Sequence, residues 1–83
     1  MTTFKGVSET DEYFIQDSRS FVGNDVLWWR PNGNGYTTVL EEAGIYSHEE
    51  AAGKRPSDIA WPIQTIRPLV RSTIDMQDLR DIQ

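Results

Sequence analysis

The sequence predicts a small α+β domain: an antiparallel sheet of three or four strands with one or two short helices on one face. Three observations predict it. Asp25-Val26-Leu27-Trp28-Trp29-Arg30 has the branched and aromatic content of a strand. Pro31-Asn32-Gly33-Asn34-Gly35 follows as a reverse turn, and Tyr36-Thr37-Thr38-Val39-Leu40 returns as a partner strand. Ser47-His48-Glu49-Glu50 then has the serine and glutamate spacing of a capping box, which starts a helix.

Taken in order, residues 1–10 are polar, contain Gly6 and Ser8, and read as a flexible leader with Phe4 and Val7 as anchors. Residues 11–83 form the single domain. No internal repeat or linker divides them. Glu12-Tyr13-Phe14-Ile15-Gln16-Asp17 is the first strand. Asp17-Ser18-Arg19-Ser20 reads as a turn or irregular crossing, and Gly23-Asn24-Asp25 as a second turn. Alternation along the next strand puts Val26 and Trp28 on one face and Leu27 and Trp29 on the other. One tryptophan therefore enters the core, while the other covers a second layer or stays partly exposed. Asn32-Gly33 supplies the positive φ that a tight turn needs, and Pro31 ends the strand.

The helix begun at Ser47 is short, because Gly53 and Pro56 follow. Tyr46 precedes the cap as half of an apolar staple. Glu49 and Glu50 in the first turn and Lys54 near the end suit the helix dipole. Asp58-Ile59-Ala60-Trp61-Pro62 is an extended approach to a second short helix or turn, in which Ile63 and Ile66 share a face. Pro68 stops it. Residues 69–74 read as a last strand and residues 75–80 as a terminal turn.

Composition narrows the chemistry. A chain of 83 residues makes one small domain, and such a domain buries only ~60% of the surface its unfolded form exposes. There is no cysteine, so disulfides and cysteine zinc sites are impossible. No apolar run approaches the roughly 20 residues of a membrane span, and the N-terminus lacks a signal-peptide plan. Acids outnumber bases 13 to 8, for a net charge of −5 at pH 7. Bulk charge therefore suits the chain poorly to a polyphosphate backbone.

No catalytic constellation emerges. The single histidine, His48, sits inside the capping box and reads as a solvated helix-start residue. It is adjacent to Glu49 and Glu50, so the three do not converge on a metal as a metalloprotease helix does. Gly33-x-Gly35 lacks the third glycine and the lysine of a phosphate loop. The acid groups Glu41-Glu42, Glu49-Glu50 and Asp75, Asp78, Asp81 have no cleft to face across. No cofactor and no metal ligand are expected. Trp28 or Trp29 with Tyr36, Arg30 and Arg19 could form a stacking platform for single-stranded nucleic acid, though core and edge packing explains the same aromatics.

Several runs together carry a resemblance. They are Tyr13-Phe14-Ile15-Gln16-Asp17-Ser18-Arg19-Ser20-Phe21-Val22-Gly23-Asn24, Leu27-Trp28-Trp29-Arg30-Pro31 through Gly35-Tyr36-Thr37-Thr38, Glu42-Ala43-Gly44-Ile45-Tyr46-Ser47 with Glu49-Glu50-Ala51, and Asp58-Ile59-Ala60-Trp61-Pro62. In order and spacing, over roughly residues 12 to 76, this pattern resembles small phage and prophage accessory proteins of unassigned function. The resemblance implies a protein acting in the cytoplasm of a bacterial host, and it implies no reaction. Small acidic phage proteins often act by binding. Some block host defence, as anti-CRISPR proteins do, by occupying a nucleic-acid groove on their target.

The expectation is thus a non-catalytic binding protein, monomeric or weakly dimeric. Its partner is a bacterial host protein or ribonucleoprotein complex, not a membrane. Trp29, Arg30, Asn32 and Tyr36 near the hairpin are the expected contacts, with Glu41, Glu42, Glu49 and Glu50 as the acidic side. The alternatives are a single-stranded nucleic-acid binder and a structural subunit that self-associates through sheet edges.

Overall fold

A computed structural model describes residues 2–69 and residue 79. Six strands form one sheet: β1 (Thr3–Phe4), β2 (Glu12–Val22), β3 (Asp25–Trp29), β4 (Tyr36–Thr37), β5 (Tyr46–Ser47) and β6 (Asp58–Pro62). The order is β1-β6-β2-β3-β4, and β5 pairs with the start of β2. Two short helices, α1 (His48–Ala52) and α2 (Ile63–Ile66), complete the α+β domain, with 3-10 turns at Pro31–Gly33, Leu40–Glu42 and Arg67–Leu69.

The sheet has more strands than expected, and it is mixed rather than antiparallel. β1 runs parallel to β6, with Thr3 opposite Ile59 and Phe4 opposite Ala60. These residues were expected in a leader outside the domain. Instead the Lys5 N–H donates to the Ala60 carbonyl at 2.9 Å, and the Thr2 hydroxyl donates to the Arg55 carbonyl at 3.3 Å. Two residues are too few for a strand pattern, so the free edge of β6 decides their conformation. β6 itself is not an approach to a helix. It lies between β1 and β2, pairing from Tyr13↔Pro62 to Asp17↔Asp58.

Both faces of the sheet are covered, which explains why Tyr13 through Asp17 are all buried. On the first face Phe14, Val26, Trp28 and Trp61 pack with Ile63, Ile66 and Leu79. On the second, Tyr13, Ile15, Ala60, Tyr46 and Ala51 pack together, with Phe4 and Trp29 against them. The two helices therefore divide between the faces rather than sharing one: α2 serves the first and α1 the second. Alternation along β3 holds as expected, and Trp28 is the tryptophan that is fully buried.

The irregular crossing expected at Asp17–Ser20 is a bulge inside a continuous β2. Gln16 faces Trp28 and Phe21 faces Val26, so residues 17–20 lie opposite Leu27 alone. The Asp17 carboxylate holds this arch by accepting from the Arg19 main-chain N–H at 3.0 Å and from its Nε at 3.3 Å.

The returning strand is shorter than residues 36–40. Only Tyr36 and Thr37 pair with β3. The Thr37 hydroxyl takes the Val39 N–H at 3.0 Å, and the chain then enters the 3-10 turn Leu40–Glu42. At α1 the capping box is complete: the Ser47 hydroxyl accepts from the Glu50 N–H and the Glu50 carboxylate accepts from the Ser47 N–H. Apart from Leu69 and Leu79, the strand expected over 69–74 and the turn over 75–80 lie outside the described residues. Among the described residues, no helix is long and apolar enough to cross a membrane.

Candidate functional site

The expected contact residues surround the loop between β3 and β4. Its geometry follows from Asn32 and Gly33, which take positive φ values of 59° and 69°, as the Asn-Gly signal predicts. The Arg30 N–H donates to the Gly35 carbonyl at 2.8 Å and closes the loop. The Tyr46 hydroxyl donates to the Arg30 carbonyl and accepts the Gly33 N–H at 3.2 Å. Gly44 braces the loop from outside, its N–H donating to the Trp29 carbonyl at 2.8 Å. A side chain at Gly44 has no room, because its Cβ would stand 2.8 Å from the backbone of Pro31.

Trp29 is the centre of the surface. Its ring lies 4.5 Å from that of Tyr36, with Lys54 Nζ 4.9 Å and Arg55 Cζ 5.1 Å from its centroid. Lys54 also lies 4.8 Å from the Tyr46 ring. These are cation–π distances. Arg55 is fixed from behind. Its Nη2 donates to the Tyr36 hydroxyl at 2.9 Å and to Asp58 at 3.0 Å, and lies 3.8 Å from Asp17. Asp17 and Asp58 are buried and directly opposite each other across β2 and β6, a pairing of like charges that costs stability unless a cation sits between them. Arg55 supplies that cation. The hydrogen bond to Asp58 in turn holds the Arg55 pKa above its usual value.

Arg30 and Glu42 form a neighbouring pair at 3.0 Å. Arg30 Nε also donates to the Tyr36 carbonyl, and Glu42 accepts from the Thr37 hydroxyl. On the other side of the loop, Asn32, Ile45, Tyr46, Glu50 and Lys54 line a shallow depression of about 120 Å³. The capping hydrogen bonds from Ser47 hold the Glu50 carboxyl below its usual range, and Lys54 adds to the effect.

The structure thus brings Trp29, Arg30, Asn32, Tyr36, Glu42 and Glu50 around one loop. Glu41 and Glu49 are exposed on their turns, and neither carries an ion pair among the described residues. Lys54, Arg55, Tyr46 and the buried pair Asp17 and Asp58 belong to the surface but escape the sequence reading. One signal was available, since Lys54-Arg55 is the only adjacent pair of bases in the chain. The stacking platform is corrected in one respect. Trp28 is buried with no ring face available to a base. Arg19 and Arg30 are each held by a carboxylate.

His48 stacks on Phe4 at 4.4 Å and meets Tyr13 edge-on at 6.0 Å. Among the described residues, no three His, Asp or Glu side chains gather as metal ligands. Comparison with known proteins finds no family model, no curated relative and no solved structure that matches this chain.

Proposed function

We propose that the chain is a non-catalytic binding protein that docks on another protein through the surface around Trp29. The observation that carries this reading is the pre-organised aromatic and cationic cluster of Trp29, Tyr36, Lys54 and Arg55 beside a braced loop. Tryptophan, tyrosine and arginine dominate protein-interface energetics, and a surface fixed before binding loses little entropy on docking. The net charge of −5 favours a basic partner and speeds encounter with it. The resemblance to small phage proteins adds a context. The target is then a nucleic-acid-handling defence complex in the bacterial cytoplasm, whose basic groove an acidic protein would occupy.

Protein is favoured over nucleic acid as the partner because the arginines near the surface are committed. Arg30 is held by Glu42, Arg55 by Asp58 and Arg19 by Asp17. Few cations remain for phosphate.

Affinity capture from bacterial host extract tests the reading. A specific protein or ribonucleoprotein is expected, with capture weakened by Trp29→Ala and Tyr36→Ala at unchanged fold. Recovery of no specific protein, or recovery indifferent to both variants, contradicts it. Titration of tryptophan fluorescence with single-stranded oligonucleotides at low salt is expected to show no quenching.

A further inference from the structure

The far end of β3 carries a second surface, unrelated to the Trp29 cluster. Pairing of β2 with β6 ends at Asp17↔Asp58, yet β2 continues to Val22. Over its last residues it is hydrogen-bonded to β3 on one side only. Phe21 and Val22 stand 59% and 58% exposed there. Val22 and Asp25 close a two-residue turn of Gly23 and Asn24. In such a hairpin the closing pair exchanges both hydrogen bonds, so the groups of the next pair point outward. The main-chain N–H and C=O of Phe21 therefore face the side that β6 has left. Among the described residues, nothing meets them.

We propose that Ser18–Val22 is a pairing edge for the same segment of a second copy, in antiparallel register about Ser20. That register sets Arg19 of each copy opposite Phe21 of the other and Ser18 opposite Val22. No like charges meet across the pair, each guanidinium gains an aromatic neighbour, and two serines meet at the axis, where bulk would hold the strands apart. Both hydrophobic side chains that stand in water would gain cover. The bulge at residues 17–20 turns this edge away from β6 and leaves it open. Each copy carries a charge of −5, so the copies repel at long range and salt strengthens their association. A basic partner on the same edge would show the opposite salt dependence.

Sedimentation equilibrium on the full chain, from micromolar to millimolar and at low and high salt, tests this. The average mass is expected to rise from that of one chain towards that of two, at lower concentration when salt is high. A mass that stays at one chain throughout overturns the proposal, as does association weakened by salt. Phe21→Pro removes the outward N–H and leaves the β2–β3 bonds intact. Phe21→Lys keeps the N–H but sets a cation against Arg19 on both sides of the axis. Each is expected to weaken association by about tenfold or more. Should Phe21→Pro unfold the chain, Phe21→Lys decides alone, and wild-type association by it overturns the proposal.

Discussion

On one face of the sheet Phe14, Val26, Trp28 and Trp61 pack with Ile63, Ile66 and Leu79, with no ion pair among them. On the other, Tyr13, Ile15 and Tyr46 pack under Trp29, and that layer is bordered by Lys54, Arg55, Asp17 and Asp58. The first face is held by apolar burial, which is non-directional and tolerates only changes of volume. The second is held by directed contacts, each of which fixes a particular side chain in place. Their difference separates a core that stabilises from a layer that also positions a surface.

The largest expected effect falls on the first face. Trp28→Ala removes the biggest fully buried ring and should cost about 3–5 kcal/mol. For a domain this small that is enough to unfold it, as thermal melting would show. Trp29→Ala, one residue on, should leave a folded chain, and equal losses at the two positions would erase the distinction between the faces. Asp58→Asn breaks the ion pair with Arg55 and frees the guanidinium that orders Tyr36. Roughly 2 kcal/mol of stability should go, read from the urea midpoint, together with partner capture. Gly44→Ala forces a methyl against the Pro31 backbone, and about 1–3 kcal/mol is expected with loss of the loop's order in amide exchange.

Smaller effects sharpen the contrast. Ser47→Ala removes a helix cap on the second face and should cost about 1 kcal/mol. The same contact has a pH signature. The Glu50 pKa is lower folded than unfolded, so its contribution is present above the unfolded value and lost as pH falls through the folded one. Urea midpoints followed into acid should fall less steeply in Glu50→Gln than in the wild type. Arg30→Ala removes an exposed pair with Glu42, worth under ~1 kcal/mol of stability. A stability loss much larger than that would show the pair to be structural.

Short-range features of this fold were legible in the sequence. The Asn32-Gly33 turn, the capping box at Ser47 and the opposed faces of Trp28 and Trp29 follow from local backbone geometry. Glu41, Glu42, Glu49 and Glu50 read as one acidic side, yet Glu42 binds Arg30 and Thr37 while Glu50 caps its own helix. Composition counts charges and says nothing of their partners. The surface around Trp29 was legible in its hairpin half alone. The Lys54-Arg55 pair, visible as adjacent bases, gains its meaning from Asp58 and from rings on β3, β4 and β5.

The sequence by itself therefore determined where the chain turns, where α1 starts and which residues alternate. Those are decided by φ preferences and by hydrogen bonds a few residues apart. Only the tertiary structure decided that Thr3 and Phe4 join the sheet, that β6 is interior, and that Trp28 rather than Trp29 is buried. It also decided that Arg55 stands between two buried carboxylates and against Trp29. Each of these depends on which strands close on one another and what then covers them, and burial and charge pairing act between residues that only the closed chain brings together.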